Sequence, residues 1–410
     1  MRPKLLLLCA VGWLAAATAS LFGEDDAVLA FLNDKIQRNP ADFIALNKLA
    51  DHSLGKLRFT GDDRWLEKAA GAVEASLKVL KNHWNTAGYG VRGQVELAQH
   101  RFRDALATGQ ALEKLQPDKV AGLVLCSDAS FELGDYEAAK KTLDEAVRRD
   151  EQRSVGSESR SAKLELVHGR LKEAKEQFER ALTIANEETV PPETVAWCLV
   201  QLGELAFRQG QWEEAEKRYL AAADALPNWY VTEEHVAELR GAQGRYDEAQ
   251  AAYEKLVARV PRPELLQALG DLLVVAGKTD AARQWHEKAR ALYESSIARG
   301  EMLYLHHASG FYADSVKEPA KALETAQKDI AARQSIYAWD SLAWAQQAVG
   351  DFKGAAVSIR KALSTGVQDS HILYHAGMIL MSSGDVAGGK TALKRCMEVN
   401  PRYQTFHAHR

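Results

Sequence analysis

The strongest constraint on the fold of this chain is an internal repeat with a period of about 34 residues. The phrase GDYEAAKKTLDEA at 134–146 recurs as GRLKEAKEQFERA at 169–181, GQWEEAEKRYLAA at 210–222 and GRYDEAQAAYEKL at 244–256. Weaker copies follow at 277–289, 350–362 and 384–396. An alanine recurs with the same period, at Ala105, Ala139, Ala174, Ala215, Ala249, Ala282, Ala322 and Ala355, with Gly389 in the last copy. Such a period predicts stacked helical units rather than one globular core.

Each repeat has the residues of a helix, a tight turn and a second helix. The glycine ends one helix, because a left-handed backbone is inexpensive only without a Cβ atom. The alanine then lets two helices approach closely, and an aromatic or leucine residue four positions later shares its face. In the unit at 196–229, Leu199, Leu202 and Gly203 supply the matching packing positions of the first helix. Several units end at a proline, which stops the second helix, at Pro117, Pro227, Pro261 and Pro401.

These residues resemble the tetratricopeptide repeat, and the resemblance covers about ten units over residues 40–403. It implies an all-α fold, an α-solenoid wound as a right-handed superhelix, with the first helix of each unit lining the concave surface. The phrases HHASGFYAD, YAWDSLAWA and ILYHAGMIL resemble the C-terminal parts of exported bacterial tetratricopeptide proteins. That resemblance implies no defined biochemical activity. The Lys, Asn and Arg set of the carboxylate-clamp type of repeat is absent from this sequence, which argues against that kind of chaperone cofactor.

The pattern divides the chain into six segments. Residues 1–19 have a positive start at Arg2 and Lys4, an apolar run and small residues at Ala17 and Ala19, which is the layout of a cleaved signal peptide. We therefore expect an exported protein, periplasmic or secreted, with an uncleaved anchor as the alternative. The remaining segments are a capping helix at 20–39, N-terminal repeats at 40–195, central repeats at 196–299, C-terminal repeats at 300–403 and a tail at 404–410.

Charge and cysteine content narrow the classes of partner. The formal net charge is −4 and the sequence pI is about 6.3, so no basic excess exists to neutralise nucleic acid phosphates. No segment after the signal is long and apolar enough to span a membrane. Cys126, Cys198 and Cys396 have unrelated spacings, and we expect them to be buried helical thiols rather than a disulfide framework.

Catalytic motifs are not evident, and we predict neither an enzyme nor a cofactor. Gly88, Gly90 and Gly93 spell G-x-G-x-x-G, but this run lies between helical patterns instead of following a strand. Gly93 is better explained as a helix-packing glycine. The acidic residues cluster in the first turns of second helices, where they complement the helix dipole.

Histidines leave one alternative function open. His371 and His375 are four residues apart, a spacing that places two imidazoles on one helix face for a metal. His306, His307, His407 and His409 are further candidates on neighbouring segments. The competing interpretation is that these rings pack between helices or contact a ligand. We therefore predict no metal ligands. The alternative is a metal-binding envelope protein that uses His, Met and Asp of the C-terminal repeats.

The expected function is a non-catalytic scaffold that binds a protein or peptide in its concave groove. In the last three units the inward positions carry aromatic, His and Met side chains, which are enriched at binding hot spots. The proposed contact residues are Tyr304, His307, Phe311, Tyr337, Asp340, Trp344, His371, Tyr374, Met378 and Met381. The middle units are more acidic, through Glu204, Glu234, Glu238, Glu264 and Asp271, and suit a basic or extended segment.

The C-terminal tail bears on assembly. RYQTFHAHR at 402–410 is too short to form the solvating cap helix that many repeat arrays need. The last repeat is therefore poorly capped, and self-association through it is one expectation.

Overall fold

The computed structural model describes residues 27–150, 152–403 and 406–408. Within them the chain is the predicted all-α solenoid: helix α1 at 27–38, then ten helix pairs. The pairs are α2 Phe43–Thr60 and α3 Arg64–Val79; α4 Thr86–Ala98 and α5 Phe102–Leu115; α6 Ala121–Leu133 and α7 Tyr136–Asp150; α8 Val155–Val167 and α9 Leu171–Glu187; α10 Pro192–Arg208 and α11 Trp212–Ala225; α12 Tyr230–Ala242 and α13 Tyr246–Arg259; α14 Pro263–Val275 and α15 Thr279–Ala298; α16 Leu305–Gly310 and α17 Pro319–Ala332; α18 Ile336–Ala348 and α19 Phe352–Ala362; α20 Ser370–Ser382 and α21 Val386–Val399.

Some sequence expectations concern the N-terminus. The predicted signal at 1–19 and the start of the predicted capping helix lie outside the described residues. The part of that helix that is described, α1, buries Leu29 and Leu32 in the same core cluster as α2 and α3. None of the helices in the described ranges combines the length and apolarity that crossing a membrane requires.

The turns inside the pairs have the backbone that the repeated glycine predicts. Gly134, Gly169, Gly210 and Gly244 all have positive φ, between 70° and 84°. Two units depart from the glycine pattern and still use a left-handed residue, His100 (φ 57°) between α4 and α5, and Lys317 (φ 57°) before α17. The unit geometry is therefore kept even where glycine is absent.

The small residues of the repeat hold the helices of each pair close together. All eight alanines of the period are at most 1% exposed. A Cβ atom added to Gly203 would lie 2.4 Å from the Tyr219 ring, and one added to Gly93 would lie 2.0 Å from Leu125. Both glycines therefore serve helix packing, as the sequence predicts. Cys126, Cys198 and Cys396 are buried and unbridged.

Turns in the first half of the chain pack against loops about 200 residues later. Ile336 donates its N–H to the Tyr136 hydroxyl at 3.0 Å, and Gln334 donates to the Leu133 carbonyl at 3.1 Å. We call these contacts the inter-turn seam. In chain order, its turns lie at Gly61, His100, Gly134, Gly169 and Gly210. The loops that they contact lie, in the same order, at 260–262, 302, 334–336, 366–368 and 400–402. The third pair thus meets the loop between the eighth and ninth pairs, so one superhelical turn takes five to six pairs.

The last helix pair is partly covered by the residues that follow it. Tyr403 packs against Leu373 and Cys396 and covers part of the last pair without a cap helix. Phe406 and Ala408 are buried in the core cluster that runs from the sixth pair to the ninth. The tail therefore turns inward, although Val386 and Met397 of α21 stay exposed. Self-association through the last repeat stays a prediction.

Candidate functional site

The first helices of the later pairs enclose a cavity of about 590 Å³ on the concave side of the superhelix. Its size is that of pockets that hold small ligands or a few side chains. Six carboxylates and three cationic side chains line it: Glu204, Glu234, Glu264, Asp314, Asp340 and Asp369, against Lys163, Arg208 and Arg333. The cavity wall is therefore acidic overall, and it also carries six histidines.

Arg208 joins two helices across the middle of the cavity. Its guanidinium lies 3.0 Å from an Asp369 carboxylate oxygen and also hydrogen-bonds Glu204 one turn earlier on α10. Burial disfavours a charge on Glu204, but the charge and hydrogen bond of Arg208 together with the His235 charge outweigh burial and lower the pKa of Glu204 below its ordinary value. Burial also opposes a charge on His235, whereas the Glu238 carboxylate, 3.6 Å from Nδ1, and the nearby Glu204 and Glu234 raise the pKa of His235. This part of the cavity wall therefore carries charged side chains that are held in position by ion pairs with each other.

The C-terminal end of the cavity contains a compact cluster of Asp340, His371 and His375. His375 Nδ1 lies 3.0 Å from Asp340 Oδ2, and His371 Nε2 lies 3.7 Å from the same oxygen. The Trp344 ring stacks on His375 with centroids 3.9 Å apart, and its Nε1–H donates to Asp314 at 2.9 Å. Burial, with the neighbouring His375 next, lowers the pKa of His371 well below its ordinary value. Asp340 and the Trp344 ring thus hold the His375 imidazole, and Asp314 in turn holds Trp344.

The tail lies against the other end of the concave wall. Ala408 donates its backbone N–H to Glu238 Oε1 at 2.8 Å, and His407 Nδ1 lies 3.0 Å from the same oxygen. The His407 ring also contacts the Phe207 ring, 5.4 Å between centroids. Phe406 fills the space above Gly241, where an added Cβ would lie 2.5 Å from its ring. A non-helical segment of the chain therefore already occupies part of the concave surface.

The structure places the ten predicted contact residues in four environments: the cavity, a half-buried position, the exposed surface and the hydrophobic core. The residues that line the cavity are His307, Tyr337, Asp340, Trp344 and His371. Tyr374 is half-buried against Tyr403, with ring centroids 5.1 Å apart. Met378 and Met381 are 37% and 39% exposed and do not line this cavity.

Tyr304 and Phe311 require a correction, because both lie in the hydrophobic core. Tyr304 precedes α16, and its hydroxyl hydrogen-bonds Asp63 across the inter-turn seam. Phe311 begins a π-helical turn, Phe311–Ser315, that follows α16 directly. The extra residue in a π turn rotates the side chains away from regular helical register. Phe311 therefore points into the core, whereas Asp314 in the same turn lines the cavity.

Two features of the site were missed by the sequence reasoning. Arg333 lines the cavity from the end of a second helix, where it pairs with Asp329 at 2.9 Å. Tyr403 contacts His371 from beyond the last repeat. The sequence does contain an indication that the tail packs against the repeats. Phe406 is an aromatic residue just after the last repeat, and its apolar surface is expected to be buried.

Comparisons with known proteins agree with this architecture. Tetratricopeptide repeat models match residues 91–159, 155–228, 237–297 and 370–403, together more than half of the chain. No curated protein matches the sequence.

Three solved structures illustrate the fold likeness. The human IFIT1 dimer with PPP-AAAA has a TM-score of 0.49 at 16% identity, covering 94% of this chain and 89% of that one. A tetratricopeptide repeat protein from Parabacteroides merdae has a TM-score of 0.41 at 16% identity, covering 60% and 93%. BtubC from P. vanneervenii has a TM-score of 0.40 at 20% identity, covering 49% and 92%. At these values the likeness concerns helical repeats alone, and it carries nothing about a ligand. From the repeat matches, the chain belongs to the tetratricopeptide repeat family.

Proposed function

We propose that this tetratricopeptide interaction scaffold acts without catalysis in an exported compartment and binds an extended, positively charged segment of a partner protein in its concave cavity. The observation that carries the proposal is the bound tail: Glu238 accepts the backbone N–H of Ala408 at 2.8 Å. A carboxylate that takes a main-chain donor can take one from any extended peptide. The tail thus supports recognition of irregular peptide rather than of a folded surface.

The charge of the wall supports a basic partner. Glu264 Oε1 pairs with Arg262, while its buried Oε2 has no hydrogen-bond partner. A buried acceptor without a donor is unfavourable, so a Lys or Arg side chain entering the cavity would gain from pairing with it. Trp344, one face of which stacks on His375, lines the far end of the same cavity, and aromatic rings attract cations.

A binding measurement with matched peptides tests this proposal. The probe is a fluorescein-labelled peptide of alternating Lys and Ala with one Phe, compared with the same peptide carrying Glu for Lys. Fluorescence anisotropy should show binding of the cationic probe only, and added salt should weaken it. In a chain that ends at residue 403 the cationic probe should bind severalfold more tightly, because the tail no longer competes.

Two variants separate the cavity from general surface charge. Glu264→Gln removes a cavity carboxylate and should weaken the cationic probe by about tenfold. Glu176→Gln removes an exposed carboxylate on the second helix α9 and should leave binding unchanged. Equal weakening by both variants, equal binding of both probes, or no binding at all would overturn the proposal.

The metal alternative has one specific observation in its favour, the donor cluster of Asp340, His371 and His375. Met378 and Met381 do not belong to that cluster. The observation concerns one binding site within the scaffold, so it does not replace partner binding as the proposed function.

A further inference from the structure

The cluster at the C-terminal end of the cavity has the composition and spacing of a metal site. Asp340 comes from α18, while His371 and His375 lie one turn apart on α20. One donor atom from each residue falls within 4.8 Å of the other two. Around a metal with bonds of about 2.1 Å, neighbouring tetrahedral donors lie about 3.4 Å apart. The observed 3.0 Å and 3.7 Å separations from the Asp340 carboxylate bracket that distance.

The Asp340–His375 hydrogen bond alone does not account for all three residues. It satisfies His375 and one carboxylate in a buried setting, where both residues are at most 5% exposed. His371 Nε2, however, faces the same carboxylate at 3.7 Å, which is too long for a hydrogen bond. Such a separation between His371 Nε2 and the Asp340 carboxylate is expected where both atoms are ligands of one metal ion rather than partners in a hydrogen bond.

Tyr403 orients His371 in the way that metal-binding imidazoles are oriented. Its hydroxyl lies 3.1 Å from His371 Nδ1. When Nδ1–H donates to that oxygen, the hydrogen-bond network assigns the lone pair to Nε2, the nitrogen that faces Asp340. Trp344 stacks on His375 with the rings 9° from parallel and holds the second imidazole in place. Both ligand rings are therefore positioned by partners outside the cluster.

The donor set defines the class of ion. Two imidazoles and one carboxylate, with no thiolate, suit zinc and its divalent neighbours such as cobalt rather than calcium or magnesium. We propose that Asp340, His371 and His375 bind one such divalent transition-metal ion, with the remaining coordination position open to the cavity. This inference goes beyond partner binding and does not depend on it, because the ion is measured without any peptide.

Titration of the whole chain with zinc alone tests the site. Isothermal titration calorimetry should show one Zn²⁺ per chain, and Co²⁺ should give a visible absorption band typical of low coordination number. A ligand that binds the folded state raises its stability, so Zn²⁺ should also raise the Tm.

Three variants make the result specific. His371→Gln should weaken zinc binding at least tenfold and remove both the cobalt band and the rise in Tm. Tyr403→Phe, a change in a positioning residue, should weaken binding without abolishing the band. His168→Gln is the matched control, since His168 lies outside the cluster, where its ring hydrogen-bonds the Leu164 carbonyl at the end of α8.

Two results would contradict the proposed metal site. If folded wild-type protein takes up no stoichiometric zinc, or if His371→Gln binds zinc as wild type does, the inference is wrong. Circular dichroism of His371→Gln guards against loss of the fold, and a chain that binds cationic peptide but no metal would overturn this inference alone.

Discussion

Two groups of turn glycines share one sequence motif and one backbone conformation but lie in different surroundings. Gly134 and Gly169 have φ of 84° and 72°, and Gly244 and Gly350 have φ of 76° and 81°. An added Cβ at Gly134 would lie 2.3 Å from the Gln334 carbonyl oxygen, and one at Gly169 would lie 2.3 Å from that of Gly366. At Gly244 and Gly350 nothing lies within 4 Å. The first group is in the inter-turn seam, and the second faces open space.

The comparison shows that the turn glycine has a conformational role in every repeat and an additional packing role in some of them. Every turn needs a left-handed residue, and glycine adopts that conformation at the lowest cost. At Gly134 and Gly169 the missing Cβ atom also permits backbone-to-backbone contact across the seam. Gln368, in the seam loop at 366–368, lines the cavity, so the seam and the candidate site share a boundary.

The largest expected effect separates the two groups directly. Gly134→Ala combines left-handed strain with a collision against backbone, and should lower the free energy of unfolding by about 3–4 kcal/mol. Gly350→Ala carries only the strain and should cost about 1–2 kcal/mol. Urea unfolding followed by circular dichroism measures both. Equal losses would show that the seam contributes nothing to the stability of these turns.

Two tyrosines, each two residues after a turn glycine, allow the same comparison between a seam turn and an open turn. Tyr136 follows Gly134 and accepts the buried N–H of Ile336 at 3.0 Å, whereas Tyr246 follows Gly244 at the same position of its repeat. Tyr136→Phe leaves that N–H without a partner and should cost about 1–3 kcal/mol. Tyr246→Phe should change stability by less than about 0.5 kcal/mol. The same unfolding assay applies, and a larger loss for Tyr246→Phe would contradict the seam assignment.

The smallest effect is a pH dependence at His100, which stands where other units have glycine. Burial, followed by the Arg333 charge, lowers the pKa of His100 from 6.5 to about 4. Between those values the unfolded chain binds the proton that the folded chain does not. This contribution to stability is therefore fully present above pH 6.5 and is lost as the pH falls toward 4.

Between pH 7 and pH 5 the His100 contribution to stability should fall by about 2 kcal/mol. Unfolding curves at pH 7 and pH 5 measure it, with His100→Asn as the comparison because asparagine tolerates a left-handed backbone. The loss between the two pH values should be smaller in the variant. An identical loss in both proteins would assign the pH dependence to other groups.

The sequence predicted the unit and much of its internal packing. The alanines from Ala105 to Ala355 are buried, and the turn glycines are left-handed. These features could be read from one repeat at a time, because they depend on contacts within a helix pair. Five of the ten proposed contact residues line the cavity for the same reason, since their register follows from regular helices.

The errors occur where a contact crosses between distant units or where a helix is irregular. Phe311 lies in the core because a π turn interrupts the helical register, and no periodic pattern announces a single wide turn. Tyr304 lies in the core and its hydroxyl hydrogen-bonds Asp63, a partner 241 residues away. The return of the tail to Glu238 spans 170 residues in the same way.

The sequence by itself determined the helix–turn–helix unit, the number of units and the acidic, histidine-rich character of the concave side. Only the tertiary structure decided that the turns of the superhelix touch, that the concave side is a cavity of about 590 Å³, and that Asp340, His371 and His375 meet. The physical reason is the origin of superhelical pitch. Pitch is the sum of small rotations at each interface between pairs, and a repeat pattern constrains each interface without setting their total.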